Sequence, residues 1–210
     1  MSAYQPTSRR PIADIFRETA ALAVRACVRG NVHPDTISYA SIVASTAAAV
    51  CFWQATRQPI LFFVLGPAFC YLRLWLNMLD GMVALASGKA SRHGEIVNDL
   101  PDRISDIVIF VGVAHGGLAS RDLAYLCAVF AVLTAYVGVL GQAVGARRQF
   151  GGVMAKPWRM VALHAGAWVS WLHPRALDVA LALIVLGCVQ TVWVRLAQTR
   201  RELAGSVEPC

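Results

Sequence analysis

"NMLDGMVALASGKASRHGEIVNDLPDRISD", Asn77 to Asp106, packs five of the chain's 12 carboxylates (Asp80, Glu95, Asp99, Asp102 and Asp106) into one short span between long apolar stretches. Asn77 and Asp80 are three positions apart, and Asn98, Asp102 and Asp106 are spaced by four, so on helices each set shares one face. The turn between them, "ASGKASRH", is short enough to make the two helices antiparallel neighbours. Their polar faces then turn toward each other as a cage of oxygen atoms. Facing carboxylates repel, and in apolar surroundings each is costly and rarely without function. A hard divalent cation such as Mg²⁺, Mn²⁺ or Ca²⁺ relieves both problems, because it takes oxygen ligands. Next to basic loops, such an ion suits phosphate chemistry: it can neutralise a diphosphate and help an alcohol attack it.

The rest of the chain supplies the apolar surroundings. Of 210 residues, 57% are hydrophobic and 15% charged, and the mean hydropathy is +0.55. A water-soluble domain carries about 25% charged residues. Apolar windows long enough to cross a bilayer recur throughout, so the fold class expected is an all-α integral membrane protein of one domain. Met1 to Arg10 is polar, with no short apolar core after it, and does not read as a cleavable signal peptide. The six cysteines form no CxxC pair and read as small buried apolar residues. The net charge of +7 reports topology and lipid contact, because no nucleic-acid motif accompanies it.

Residues 8–30 alternate arginines with apolar residues at helical spacing (Ile12, Ile15, Phe16, Leu22, Ala23, Ala26), which predicts an amphipathic helix on the membrane surface, ended by Gly30. "HPDTIS" follows, with Asp35 or Thr36 as the cap of the first span. Six spans are expected, at 36–56, 60–86, 94–117, 121–146, 158–172 (a short one) and 175–198. Residues 1–35 form the N-terminal segment, 36–198 the membrane domain and 199–210 a tail. The turns on one side hold Arg57, Arg121 and Arg175. The other side holds Arg9, Arg10, Arg17, Arg25, Arg29, Lys89, Arg92, Arg147, Arg148, Lys156, Arg159, Arg195, Arg200 and Arg201. This bias places both termini and the oxygen cage on the cytoplasmic side of the inner membrane. Trp53, Trp158, Trp168, Trp171 and Trp193 fall near span ends, as interface anchors do.

The spacing of the acidic span resembles the signature of the CDP-alcohol phosphatidyltransferases, D-x2-D-G-x2-A-R-x8-G-x3-D-x3-D. Here it runs Asn77-x2-Asp80-Gly81-x2-Ala84-Leu85-x8-Gly94-x3-Asn98-x3-Asp102, with every interval kept and Asp80, Gly81, Ala84, Gly94 and Asp102 matching. Six helices after an amphipathic one are similar to that family too. The resemblance implies two divalent ions, Mg²⁺ or Mn²⁺, that bind the diphosphate of a CDP-linked lipid, and a homodimer. It makes Asn77, Asp80, Asn98 and Asp102 the ligand positions, and Asp102 the general base on an alcohol that attacks the β-phosphate and releases CMP. Asp80, Gly81, Ala84 and Gly94 become the CDP-binding residues, with the glycines leaving room for the nucleotide. The chain departs from the signature at Asn77, Asn98 and Leu85. Asparagine still offers a carbonyl oxygen, but the four ligand positions carry a charge of −2 where four aspartates carry −4. Asp106, one turn beyond Asp102, is the residue best placed to restore charge. The expectation is one tightly held ion and a second, weaker one that arrives with the nucleotide.

Arg147, Arg148, Lys156 and Arg159 lie between the fourth and fifth spans, and Arg73 sits one turn before Asn77. They are candidates for binding the phosphate of the donor or of a sugar or polyol phosphate acceptor, such as glycerol phosphate or inositol phosphate. The same residues also serve as topology determinants and ion-pair partners, and the asparagines also serve as interhelical hydrogen-bonding groups. Two further readings stand beside the enzyme. One is a catalytically silent protein of the same fold. The other is a transporter, whose acids belong at mid-bilayer and not at one end.

Overall fold

The computed structural model describes residues 17–205. The start of the expected surface helix, with Arg9, Arg10, Ile12, Ile15 and Phe16, and the end of the tail, with Cys210, lie outside the described residues. Within them the chain is helical with no strand: α1 (Arg17–Arg29), α2 (Pro34–Trp53), α3 (Gly66–Ala86), α4 (Arg92–His115), α5 (Arg121–Ala143), α6 (Lys156–Val169) and α7 (Ala176–Gly205).

Local chemistry sets the ends. α1 closes on Asn31, which takes the left-handed conformation (φ 50°), while Val32 N–H reaches back to the Cys27 carbonyl (2.9 Å). Asn31 thus does what Gly30 was expected to do. α2 starts at Pro34, whose missing N–H costs nothing at the first turn. Its cap is His33, whose Nδ1 accepts from Asp35 N–H (3.3 Å), rather than Asp35 or Thr36. A π-helical turn at Leu61–Leu65 leads into α3. Pro67 explains it, because a proline cannot donate to the turn before it and its ring pushes that turn's carbonyl aside. Gly88 (φ 67°) ends α3, and the Ser91 hydroxyl, accepting from Gly94 N–H (3.0 Å), starts α4.

The six long helices form a ring in the spatial order α3, α2, α4, α5, α7, α6, with α6 returning to α3; α1 lies against α3. Small residues let neighbours close. A Cβ on Gly112 of α4 would stand 2.4 Å from the Ala49 carbonyl oxygen of α2, and one on Gly166 of α6 would stand 2.3 Å from the Ala180 Cβ of α7. α3 and α4 are consecutive, but α2 lies along both, and the pair makes few direct backbone approaches. They are therefore not the packed neighbours that the short turn suggested; they face each other across the ring through side chains.

Polarity is inverted relative to a soluble bundle. Val43, Leu186 and Trp193 are among the many large apolar side chains on the outside, whereas Arg73, Asp80, Asp102, Asp106 and Arg159 are buried inside. A lipid solvent favours that arrangement. Among the described residues, four segments are long and apolar enough to cross a membrane: Pro34–Trp53, Leu61–Ala86, Arg121–Ala143 and Ala176–Gly205. The expected count of six is not reached by this measure, for two separate reasons. α4 carries six charged residues within its first 15, and α6 has 14 residues where a span needs about 20. α7 also runs through residue 198, where the membrane domain was expected to stop.

Candidate active site

α6 is short because it starts inside the ring. Its first residue, Lys156, already reaches Asp102, ten residues into α4, which is about 15 Å of helix. The loop before α6 therefore leads directly into a polar chamber built by α2, α3, α4 and α6.

The deeper layer of that chamber is an arginine–aspartate–arginine bridge. Arg73 Nη2 donates to Asp106 Oδ1 (2.7 Å) and to the Asp102 carbonyl (3.0 Å). Arg159 Nη2 donates to the other oxygen, Asp106 Oδ2 (2.7 Å), while its Nη1 reaches Thr134 Oγ1 and the Met154 carbonyl (both 3.2 Å). Arg73 and Asp106 are completely buried and Arg159 nearly so. Charges this deep persist only when paired and hydrogen-bonded.

The shallower layer joins α2, α3, α4 and α6 through smaller groups. Lys156 Nζ donates to both Asn77 Oδ1 and Asp102 Oδ1. Asp80 Oδ2 accepts from Ser38 Oγ (2.5 Å), and Asp80 Oδ1 accepts from Asn98 Nδ2 (2.7 Å) and Gly81 N–H (2.6 Å). Beside Asp80, a Cβ on Gly81 would meet nothing within 4 Å, so this wall opens onto free space.

At the rim, Asp99 Oδ1 accepts from Arg103 Nη2 (3.0 Å) and Arg148 Nη2 (2.7 Å), and the Arg148 guanidinium lies 5.7 Å from the Phe150 ring centroid. Arg147, well exposed, donates to Glu202 Oε1 through both N–H and Nε (3.0 Å each).

No family model matches the chain. A phosphatidylinositol phosphate synthase of Mycolicibacterium smegmatis is 30% identical over 195 residues, covering 88% of this chain and 85% of that protein. The chain belongs to the CDP-alcohol phosphatidyltransferase family. The inner membrane protein YnbA of Escherichia coli is 28% identical over 180 residues, covering 85% of this chain and 88% of that protein. Among solved structures, a Mycobacterium tuberculosis phosphatidylinositol phosphate synthase with CDP-DAG bound superposes with a TM-score of 0.76 at 25% identity, over 91% of this chain and 98% of that one. The same enzyme in complex with manganese and citrate gives 0.75 at 25% identity, over 91% and 93%.

In this member of the CDP-alcohol phosphatidyltransferases, the ring brings Asn77, Asp80, Asn98 and Asp102 to one chamber. Asp106 lies below them with both oxygens given to arginines, so it holds the floor instead of facing the opening. Arg73 and Arg159, expected to reach phosphate, are that floor. Lys156 points inward to the oxygens, while Arg147 and Arg148 are tied to Glu202 and Asp99. Gly94 N–H serves the helix cap. Ala84 is half-buried one turn beyond Asp80, and His93 is exposed.

Sequence reasoning missed Ser38, which holds Asp80, and Arg195, a residue counted only for topology. Arg195 is buried, with Nη1 on the Thr134 carbonyl (2.5 Å) and Nε on that of Gly151 (3.0 Å). The available signal for Ser38 was the series Ser38, Ser41, Ser45 on one face of an otherwise apolar helix.

The described residues hold no cluster of three His, Cys, Asp or Glu suited to a metal. A cation site here would include amide oxygens beside carboxylates. Asn77 Oδ1 and Asp102 Oδ1 already close on a positive charge, so the chemistry of the pair fits a cation. Asn98, in contrast, turns its amide nitrogen toward Asp80.

Proposed function

We propose that the chain is a membrane phosphatidyltransferase that moves a phosphatidyl group from a CDP-linked lipid, CDP-diacylglycerol, to an alcohol and releases CMP. The observation that carries this reading is the pair Asp80 and Asp102, held at a chamber wall that Gly81 leaves open. A 30%-identical relative named for such a synthase supports it, as does a neighbouring structure holding CDP-DAG.

Asp102 is the base. It takes the proton of the acceptor hydroxyl as that oxygen bonds to the β-phosphorus; the bond from this phosphorus to the CMP oxygen breaks, and CMP leaves with the electron pair. Asn77, Asp80, Asn98 and Asp102 would hold a divalent ion, Mg²⁺ or Mn²⁺, which when bound neutralises the diphosphate. The CDP moiety lies along Asp80, Gly81, Ala84 and Gly94. Arg148, half-buried at the rim with Arg103, is the group best placed to meet an acceptor phosphate, so the acceptor is a small polyol phosphate.

The whole ring crosses the inner membrane. α4 and α6 join the four apolar spans, with Ile104, Ile107, Val161 and Trp168 turned outward. The chamber opens to the cytoplasm, and two copies associate.

The test is incubation of purified protein with CDP-diacylglycerol, Mn²⁺ or Mg²⁺ and a panel of alcohols and polyol phosphates, reading CMP and the lipid product by mass spectrometry. A product with one acceptor class is the expected result. Absence of CMP with every acceptor, together with its appearance in an Asn77→Asp, Asn98→Asp variant, would replace this reading with the silent one.

A further inference from the structure

We infer that Lys156 is a tethered cation: its ammonium fills the position between Asn77 Oδ1 and Asp102 Oδ1 that a divalent ion would take, and a metal enters this chamber by exchange with it. The inference rests on the cation-site part of the proposed function but not on turnover.

Charge balance carries the argument. The chamber holds three acids, Asp80, Asp102 and Asp106, and three cations: Arg73 and Arg159 pair with Asp106 and Lys156 with Asp102, while Asp80 is held by neutral donors. At the rim, Asp99 meets Arg103 and Arg148, and Arg103 also approaches Asp102 Oδ2 (3.9 Å). The acids are therefore already matched by the protein's own cations. Adding a doubly charged ion among these almost fully buried side chains leaves an excess positive charge that their surroundings make costly. The excess falls if one resident cation leaves.

Only Lys156 is built to leave. Arg73 and Arg159 are locked by planar guanidinium contacts to the two oxygens of one carboxylate. Lys156 offers a single point charge on a flexible stem, and it is the first residue of α6, directly after the loop that joins α5 to α6. Its two acceptors are a carboxylate oxygen and an amide oxygen, both of which hard cations accept. Exchange also limits the stoichiometry: one ammonium withdrawn makes room for one divalent ion, not two.

Two measurements on the full-length protein in detergent micelles test this without substrate. In the first, Mn²⁺ binding is followed by electron paramagnetic resonance in the wild type and in Lys156→Met. The wild type is expected to bind one Mn²⁺ per chain, and the variant to bind it at least tenfold more tightly. In the second, wild-type Lys156 is acylated and the modified peptide is counted by mass spectrometry. Lys156 should be protected without metal and react several-fold faster at saturating Mn²⁺, but not at equal ionic strength in sodium chloride. This arm decides the matter if the variant does not fold. Equal Mn²⁺ affinity in the two proteins, no binding in either, or Mn²⁺ bound with Lys156 still protected would overturn the exchange. Failure of CMP release alone would leave it standing, since neither measurement involves turnover.

Discussion

Asp102 and Asp106 sit one turn apart on the same face of α4, both completely buried, yet they belong to different machines. Asp106 gives each oxygen to a planar arginine from a different helix, α3 on one side and α6 on the other. Asp102 meets a lysine on a flexible stem, which it shares with the amide oxygen of Asn77. A carboxylate becomes a girder when its partners are rigid and fill both oxygens. It stays available for chemistry when its partner can move. The residue type and the helical face are the same; the partners from the opposite side of the ring make the difference.

The sharpest way to break this contrast is to remove the girder. Asp106→Asn leaves two buried guanidiniums short of a counter-charge, a loss of about 3–5 kcal/mol. Thermal unfolding in detergent should show a large drop or no folded protein; a melting curve like the wild type's would mean the deep layer bears little of the fold. Next comes the contact that sets the distance between α2 and α4. Gly112→Val places a side chain against the Ala49 backbone, costs about 1–3 kcal/mol, and should lower the melting temperature clearly. Ser38→Ala then removes one of the bonds orienting Asp80. It should cost about 1 kcal/mol and weaken nucleotide–metal binding modestly while leaving the deep layer intact, as a binding titration would show. Smallest of all is Arg147→Ala at the exposed Glu202 pair, where neither melting nor activity should change measurably. If activity fell with stability unchanged, Arg147 would belong to the acceptor site beside Arg148.

Much of the layout was legible in the sequence. The intervals between Asn77 and Asp106 named both polar faces, and the apolar windows located the helices to within a few residues, except at the end of α7, which runs past the expected 198 to Gly205. What remained hidden came from the far side of the ring. Periodicity shows which residues share a face but not what that face meets. Lys156, Arg159 and Ser38 come from 42 to 79 positions away in the chain to contact Asn77, Asp80, Asp102 and Asp106. The recessed start of α6 was equally invisible, because a short helix reads the same at any depth. For that reason Lys156 and Arg159 read as a basic loop facing water, and Asp106 as a spare ligand. The caps erred by one or two residues because His33 and Asn31 supply side-chain or left-handed geometry that the commoner capping residues also supply.

The account stands most directly on the rate of CMP release per folded molecule in Asp102→Asn. The amide keeps an oxygen for Lys156, so the fold should hold and binding of the CDP-linked lipid should persist, while turnover falls by about 10²–10⁴-fold, the usual contribution of a positioned base. An Asp102→Asn protein that melts normally and releases CMP at the wild-type rate would contradict the assignment of the reacting layer.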